Sequence, residues 1–176
     1  QLSKAENIKI SSPKTLRELC LDGAAARSLV LDAEYTARLA RELELIDMNV
    51  RSLVELTRLF LPQMIARGSG RILNVGSVAG FQPGPFMANY YASKAYVNSF
   101  SEALSEELRG TGVSCTLLAP GETLTEFASA AGLKKSGGVS ALSVVREGYR
   151  GMPKGQARVI TGWKYQLFTQ LLRVMP

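Results

Sequence analysis

The order of helix-like and strand-like segments is the feature that most constrains how this chain folds. Three short apolar runs bounded by glycine or proline alternate with longer segments whose apolar residues recur every three or four positions. The short runs are typical of buried strands in a parallel sheet, and the longer segments of amphipathic helices. The expected helices lie at 34–67, 89–109, 141–152 and 163–174, and the expected strands at 71–76, 113–118 and 157–161. This order predicts an α/β fold with a parallel sheet and right-handed crossovers.

Length and composition favour a folded domain in the cytoplasm. The chain has 176 residues, of which 46% are hydrophobic and 20% are charged, a balance that excludes wholesale disorder. It contains no run of the roughly 18 to 20 apolar residues that a membrane-spanning helix needs, and its first residues do not resemble a secretion signal. The first residue is Gln1 rather than Met, so we expect a chain that is processed, trimmed or incomplete.

The scarcity of some residue types excludes several kinds of chemistry. The chain has no His, which excludes a Ser–His or Cys–His nucleophile pair and an imidazole metal site. Cys20 and Cys115 fit no metal-binding spacing, so we expect two reduced thiols and no bound metal. The net charge of +6 is spread along the chain, which predicts a solvated basic surface rather than a nucleic-acid site.

Four polar residues are candidates for catalysis. Tyr90 and Lys94 are four positions apart in a predicted helix, so both side chains lie on one face. An ammonium group beside a phenol stabilises the phenolate, so we expect Lys94 to lower the pKa of Tyr90 toward the working range of a proton donor or acceptor. Ser77 follows the 71–76 strand, at the edge where open parallel sheets bind ligands. Asn49 lies within a predicted helix, where its amide can hold a water or a backbone carbonyl.

Each candidate also has an ordinary structural explanation. A Tyr and a Lys four positions apart commonly form a surface pair, and a Ser after a strand commonly forms a turn or caps a helix. A mid-helix Asn is commonly solvated. Tyr91 is a rival to Tyr90, although it lies only three positions before Lys94 and therefore points to a neighbouring face.

The spacing between the candidates is more specific than any one of them. Ser77 lies 13 positions before Tyr90, and Asn49 lies 28 positions before Ser77. The segments are Asp47-Met48-Asn49-Val50, Asn74-Val75-Gly76-Ser77-Val78-Ala79-Gly80, Tyr90-Tyr91-Ala92-Ser93-Lys94 and Pro120-Gly121-Glu122-Thr123-Leu124-Thr125. In this register they resemble the motifs of the short-chain dehydrogenase/reductase family, of the classical type, over about residues 38–176.

The resemblance implies a fold and a reaction. The fold is a three-layer Rossmann-like sheet, and the reaction is hydride transfer between a nicotinamide cofactor, NAD or NADP, and a small carbonyl compound or secondary alcohol. By this resemblance, Tyr90 would pass a proton to or from the substrate oxygen, and Ser77 would position that oxygen. Lys94 would bond the cofactor ribose and lower the pKa of Tyr90, and Asn49 would hold a water in a proton relay.

The resemblance also implies binding positions and partners. The cofactor would contact Tyr90, Lys94, Pro120, Gly121, Thr123 and Thr125. Helices 34–67 and 89–109 correspond to the helices through which members of the family form homodimers or homotetramers. The partners expected of this chain are a small-molecule substrate and further copies of itself, without a nucleic acid or a membrane.

The beginning of the chain departs from the family pattern. Gly23 is the only glycine before Gly68, whereas the family begins with a glycine-rich turn that seats the cofactor pyrophosphate. We therefore expect a fold that is incomplete on its N-terminal side, with 1–33 an unassigned remnant of the cofactor-binding half and 34–176 the C-terminal half. Three explanations stay open: an unseen part of a longer protein, a truncation, or a protein that uses the remaining residues differently.

Two other functions remain as alternatives. Ser77 could be a nucleophile with Tyr90 and Lys94 as its base, which would make the protein an esterase-like hydrolase. The residues around Ser77 do not form the Gly-x-Ser-x-Gly elbow of such enzymes. Alternatively, the apolar faces of helices 34–67 and 89–109 would serve a non-catalytic interaction protein.

Overall fold

The computed structural model describes residues 33–124 and 138–174. The chain divides into two units, Gln1–Glu44 and Leu45–Pro176, and the second unit carries the sheet. The helices are α1 (Ala33–Ile46), α2 (Ser52–Ala66), α3 (Ala88–Glu107), α4 (Ala141–Gly151) and α5 (Trp163–Val174). The strands are β1 (Gly70–Val75), β2 (Val113–Ala119), β3 (Thr123–Leu124), β4 (Val139–Ser140) and β5 (Arg158–Ile160). The remnant of the cofactor-binding half is expected at 1–33. Except for Ala33, these residues lie outside the described part of the chain.

The main sheet is parallel throughout and has the strand order β1-β2-β5. Gly70 pairs with Val113 at the beginning of β1, and Leu117 pairs with Arg158 at the beginning of β5. The three strands are those expected from the apolar runs, so the predicted α/β fold is confirmed. A second, two-stranded parallel sheet joins β3 to β4.

Helices lie on both faces of the main sheet. On one face, Leu61 and Met64 of α2 and Leu104 of α3 pack with Cys115 of β2. On the other face, Gly148 of α4 lies against Leu118, whose side chain points away from that of Cys115 because side chains alternate along a strand. The layers are therefore helix, sheet and helix, as the Rossmann-like expectation requires.

The single helix expected at 34–67 is divided in the structure. Asp47–Arg51 forms a π-helical turn between α1 and α2, and the backbone N–H of Ser52 bonds the carbonyl of Asp47 five residues earlier. The Ser52 hydroxyl donates to the same carbonyl at 3.0 Å. Pro62 lies inside α2. One wider turn therefore separates the two helices, and it contains Asn49.

Two apolar clusters form the core of the second unit. One consists of Leu104, Leu108, Val113 and Cys115. The other consists of Leu117, Ala119 and Ile160, with Val78, Phe81 and Tyr165 packed against it. The Cys115 thiol is free, and burial raises its pKa to about 11, so it is protonated at neutral pH. Cys20 lies outside the described residues.

Two further findings concern the described residues alone. None of the helices in this part of the chain is both long and apolar enough to cross a membrane. The same residues contain no group of three or more acidic or cysteine side chains arranged to hold a metal ion.

Candidate active site

The carboxyl ends of β1 and β2 meet at one edge of the sheet, and the candidate residues lie there. The backbone N–H of Gly76 donates to the carbonyl of Leu118 at 2.8 Å. Two residues later, the N–H of Val78 donates to the carbonyl of Pro120 at 3.0 Å. These bonds hold the segment after β1 beside the segment after β2, which places Ser77 next to Pro120.

Ser77 has both a structural and a site-facing role. Its backbone is extended, and its Oγ accepts a hydrogen bond of 3.1 Å from the Ala79 N–H, which caps the short 3-10 helix Val78–Phe81. The same Oγ lies 3.5 Å from the carbonyl oxygen of Pro120. The Ser77 side chain also forms a hydrogen bond with the Tyr90 side chain. The capping explanation and the catalytic one therefore apply to the same hydroxyl.

Tyr90 lies in the first turn of α3, where the helix directs its phenol toward Ser77. The phenol is largely buried, and burial raises the pKa of Tyr90 above its usual value of 10.0. The hydrogen bond with Ser77 acts in the opposite direction but is the smaller effect. The expectation that Tyr90 has a lowered pKa is therefore wrong for this structure, because desolvation of the phenolate outweighs its stabilisation.

Lys94 lies one helical turn beyond Tyr90, and its ammonium is directed at the end of β1. The Nζ atom donates to the carbonyl of Val75 at 3.0 Å. Burial lowers the pKa of Lys94 from its usual 10.5. The lysine is thus fixed between α3 and β1, at the same edge of the sheet as Ser77.

Asn49 is connected to the turn of α3 that contains Tyr90 through the hydroxyl of Ser93. Its Nδ2 donates to Ser93 Oγ at 3.0 Å, and that hydroxyl donates to the Tyr90 carbonyl at 2.8 Å. Ser93 is only 4% exposed. The structure therefore adds Ser93 to the candidates, and the only signal for it in the sequence is its place between Tyr90 and Lys94.

The predicted cofactor-binding segment after β2 is described as far as Thr123 and Leu124. Gly121 lies against the Tyr165 ring, and the Tyr165 hydroxyl accepts a hydrogen bond of 3.3 Å from the Glu122 N–H. The Thr123 hydroxyl donates to the Gly121 carbonyl at 3.0 Å. The segment is therefore held by its own turn and by α5. Thr125 lies outside the described residues.

Tyr91 occupies a different environment from Tyr90. The two rings meet edge to face with their centroids 5.9 Å apart. Tyr91 lines a mainly apolar cavity of about 580 Å³, together with Gly84 and other residues of the loop at 80–85 and with Ala92 and Ala95 of α3. The phenol that bonds Ser77 is that of Tyr90, which favours Tyr90 over its rival.

A further residue, Asn98, holds the backbone of Ser77. The Ser77 N–H donates to Asn98 Oδ1 at 3.3 Å, and Asn98 Nδ2 donates to the Ser77 carbonyl at 2.9 Å. The sequence offers a signal for this residue, because Asn98 follows Lys94 by four positions and so lies on the same face of the helix.

Comparison with known proteins identifies the family. The family model described as short chain dehydrogenase matches residues 23–136, well over half of the chain. Sulfoacetaldehyde reductase 2 of Chromohalobacter salexigens is 45% identical over 100 residues, which are 56% of this chain and 38% of that protein. An uncharacterized oxidoreductase of Myxococcus xanthus is 33% identical over 132 residues, which are 75% of this chain and 52% of that protein.

Solved structures agree with this assignment. A short-chain dehydrogenase from Sphingobium yanoikuyae in complex with NADPH superposes with a TM-score of 0.64 and 26% identity over 73% of this chain and 53% of that one. A short chain dehydrogenase/reductase from Burkholderia phymatum in complex with NAD superposes with a TM-score of 0.64 and 25% identity. The match covers 72% of this chain and 55% of that one. The chain thus spans about half the length of these proteins, or less. The resemblance seen in the motifs is confirmed, and the chain belongs to the short-chain dehydrogenase family.

Proposed function

We propose that the protein is an NAD- or NADP-dependent oxidoreductase that interconverts a small carbonyl compound and the corresponding alcohol. The observation that carries this proposal is the contact of the buried Ser77 side chain with the half-buried Tyr90 side chain at the carboxyl edge of the sheet. Lys94 is fixed one helical turn away from Tyr90. Family membership favours this reaction over ester hydrolysis by the same three side chains.

Tyr90 would hold the proton that the substrate oxygen receives. Burial raises the pKa of Tyr90, so its phenol is protonated at neutral pH and suited to donating a proton during carbonyl reduction. Ser77 would orient the substrate oxygen toward that phenol, since its hydroxyl already bonds Tyr90. Asn49 would support the position of Tyr90 through Ser93, and its water-holding role remains part of the proposal.

The residues of this edge fit the nicotinamide–ribose end of the cofactor. An ammonium group has three N–H donors, and the bond from Lys94 to the Val75 carbonyl uses one of them. We expect Lys94 to hold ribose hydroxyls, and the amide end to lie along Pro120, Gly121, Thr123 and Thr125. The nicotinamide ring, when bound, supplies or accepts the hydride. Since related enzymes have been solved with NADPH and with NAD, either form is a candidate here.

The substrate would enter beside Tyr91. The apolar cavity that Tyr91 lines adjoins the helical turn bearing Tyr90, and its walls come from the loop at 80–85 and the first turns of α3. Such walls suit the hydrocarbon part of a small carbonyl compound or alcohol. Two relatives from Chromohalobacter salexigens are named as sulfoacetaldehyde reductases, and an aldehyde is a carbonyl compound of the proposed class.

The proposal includes an assembly and a compartment. We place the association surface on 34–67 and 89–109, as a homodimer or homotetramer, because α2 exposes large apolar side chains. We place the protein in the cytoplasm, where the free Cys115 thiol would stay reduced.

The decisive test is Tyr90→Phe against the control variant Tyr149→Phe, which changes an exposed tyrosine of α4. Turnover of NADH and NADPH would be followed by absorbance with a panel of aldehydes and ketones. Loss of the proton donor should lower kcat by about 100-fold or more in Tyr90→Phe, whereas Tyr149→Phe should stay within about threefold of the unchanged chain. Equal turnover in the two variants would contradict the proposal. A chain that neither binds nucleotide in calorimetry nor reduces any carbonyl would support the non-catalytic alternative.

A further inference from the structure

We infer that Asn98 is a positioning residue that holds the Ser77 backbone by both of its polar groups and so keeps the Ser77 hydroxyl within reach of Tyr90. The consequence for turnover rests on the proposed function, whereas the consequence for the Ser77–Tyr90 contact does not.

The two hydrogen bonds form a clamp. Asn98 Oδ1 accepts from the Ser77 N–H at 3.3 Å, and Asn98 Nδ2 donates to the Ser77 carbonyl at 2.9 Å. Asn98 is 3% exposed, so water does not compete for these bonds. A side-chain amide carries the same donor and acceptor as a peptide group. Asn98 therefore acts on Ser77 as the next strand of a sheet would.

The clamp lies just past the end of β1. The Gly76 N–H, before Ser77, and the Val78 N–H, after it, bond the Leu118 and Pro120 carbonyls on the β2 side. The polar groups of the Ser77 backbone itself bond the amide of Asn98 on α3 instead. The Asn98 side chain thus holds Ser77 in an extended conformation, with φ −167° and ψ 156°, just past the end of β1.

Two glycines leave room for this amide. A Cβ atom added at Gly76 would overlap Asn98 Oδ1, and one added at Gly80 would come too close to Asn98 Nδ2 and to the backbone of Lys94. Any side chain at either position would displace the clamp. The local sequence around Ser77 is therefore matched to Asn98, which argues that the contact is specific and not incidental.

The clamp joins two catalytic candidates through one rigid element. Tyr90 and Asn98 are both in α3, eight positions apart, so they share a face of the helix. The helix thus presents the phenol and also holds the backbone of the serine that bonds it. A displacement of about 1 Å between reacting groups is enough to reduce a rate about 100-fold, so a fixed distance here matters for catalysis.

The test compares Asn98→Leu, Ser77→Ala and the double variant, with Ser99→Ala as a control on the exposed face of the same helix. Leu has nearly the shape of Asn but forms no hydrogen bonds. The ionisation of Tyr90 would be followed by carbon-13 NMR at the tyrosine Cζ, which needs no turnover, and assigned with Tyr90→Phe. Because the Ser77 bond lowers the pKa of Tyr90, we expect Asn98→Leu and Ser77→Ala each to move the ionisation to higher pH, and the double variant to move it no further.

Kinetics supply the second arm. With saturating substrate, Asn98→Leu should lower kcat by about 10-fold or more while the KM for the nucleotide stays within about threefold, and the double variant should be no slower than Ser77→Ala. An unchanged Tyr90 ionisation in Asn98→Leu, or shifts that add in the double variant, would overturn the inference. If Asn98→Leu does not fold, Asn98→Ala gives the same comparison. A wild-type chain without turnover would refute the proposed function and leave the NMR result to decide this one.

Discussion

Burial and the hydrogen bond with Ser77 shift the pKa of Tyr90 in opposite directions. Burial disfavours the phenolate, and the hydrogen bond with Ser77 favours it; burial is the larger effect. Lys94, meanwhile, gives a hydrogen bond to the Val75 carbonyl and has its own pKa lowered by burial. In this state the residues of the site are therefore arranged to keep a proton on Tyr90.

This arrangement predicts how Tyr90 titrates. A raised pKa means that the folded protein keeps the proton through neutral pH and releases it only as the pH rises past the usual tyrosine value of 10.0. Carbonyl reduction should accordingly be constant around neutral pH and fall on the alkaline side. Carbon-13 NMR at the Cζ of Tyr90 in the cofactor-free chain would measure the midpoint, and a value below 10 would show that a cation, and not burial, dominates the site.

The identity of the candidate residues was predictable from the sequence, but their contacts were not. Spacing along a helix fixes that Tyr90 and Lys94 share a face, and the end of a strand fixes where Ser77 lies. Whether the Lys94 ammonium turns to the phenol or to the carbonyl of Val75 depends on atoms that are distant in sequence. The same is true of Asn98, whose partner lies 21 positions away.

Among the elements, the π-helical turn Asp47–Arg51 contains Asn49, whose side chain contacts α3. A π turn widens the helix locally, and such turns often occur at functional sites. Here the amide of Asn49 in this turn bonds Ser93 near the beginning of α3, so a hydrogen bond connects the π-helical turn to α3. This connection depends on the Ser93 hydroxyl alone.

Ser93→Ala should therefore destabilise the protein. The substitution removes the hydroxyl that accepts from the half-buried Asn49 amide and donates to the Tyr90 carbonyl, so the Asn49 amide loses this partner. We expect a loss of about 1–2 kcal/mol in the free energy of unfolding, measured by urea denaturation. The control Ser99→Ala, on the exposed side of α3, should change it by less than about 0.5 kcal/mol. Equal effects of the two substitutions would mean that the connection contributes no stability.

The elements show a similar limit of what a sequence reveals. Long periodic segments and short apolar runs gave the helices and main strands, because burial of one face or of a whole strand imposes a pattern. The break at Asp47–Arg51 was missed, since apolar spacing of three and four continues across one wider turn. Strands β3 and β4 have two residues each, too few for any alternation to be recognised.

For the whole molecule, the notable feature is the apolar surface of α2. Leu56, Leu59 and Phe60 are spaced at three and four positions and are 52–66% exposed. Tyr96 of α3 is also exposed and stacks on Phe100, whose ring packs against the core beside α2. Adjacent apolar side chains of this size seldom face water alone, so they support the proposed association through these helices.

A charged residue in this surface should therefore weaken the proposed association. Leu59→Lys places an ammonium at the centre of the α2 stripe, where burial against a second copy would cost its hydration. We expect the unchanged chain to sediment as a dimer or tetramer, and Leu59→Lys to weaken association by about tenfold or more, at least 1.4 kcal/mol. Leu142→Lys is the comparison variant, because Leu142, Val145 and Tyr149 form a similarly exposed apolar stripe on α4. It should leave association unchanged if the interface is on α2. A monomeric unchanged chain, or equal weakening by both substitutions, would exclude the α2 surface as the interface.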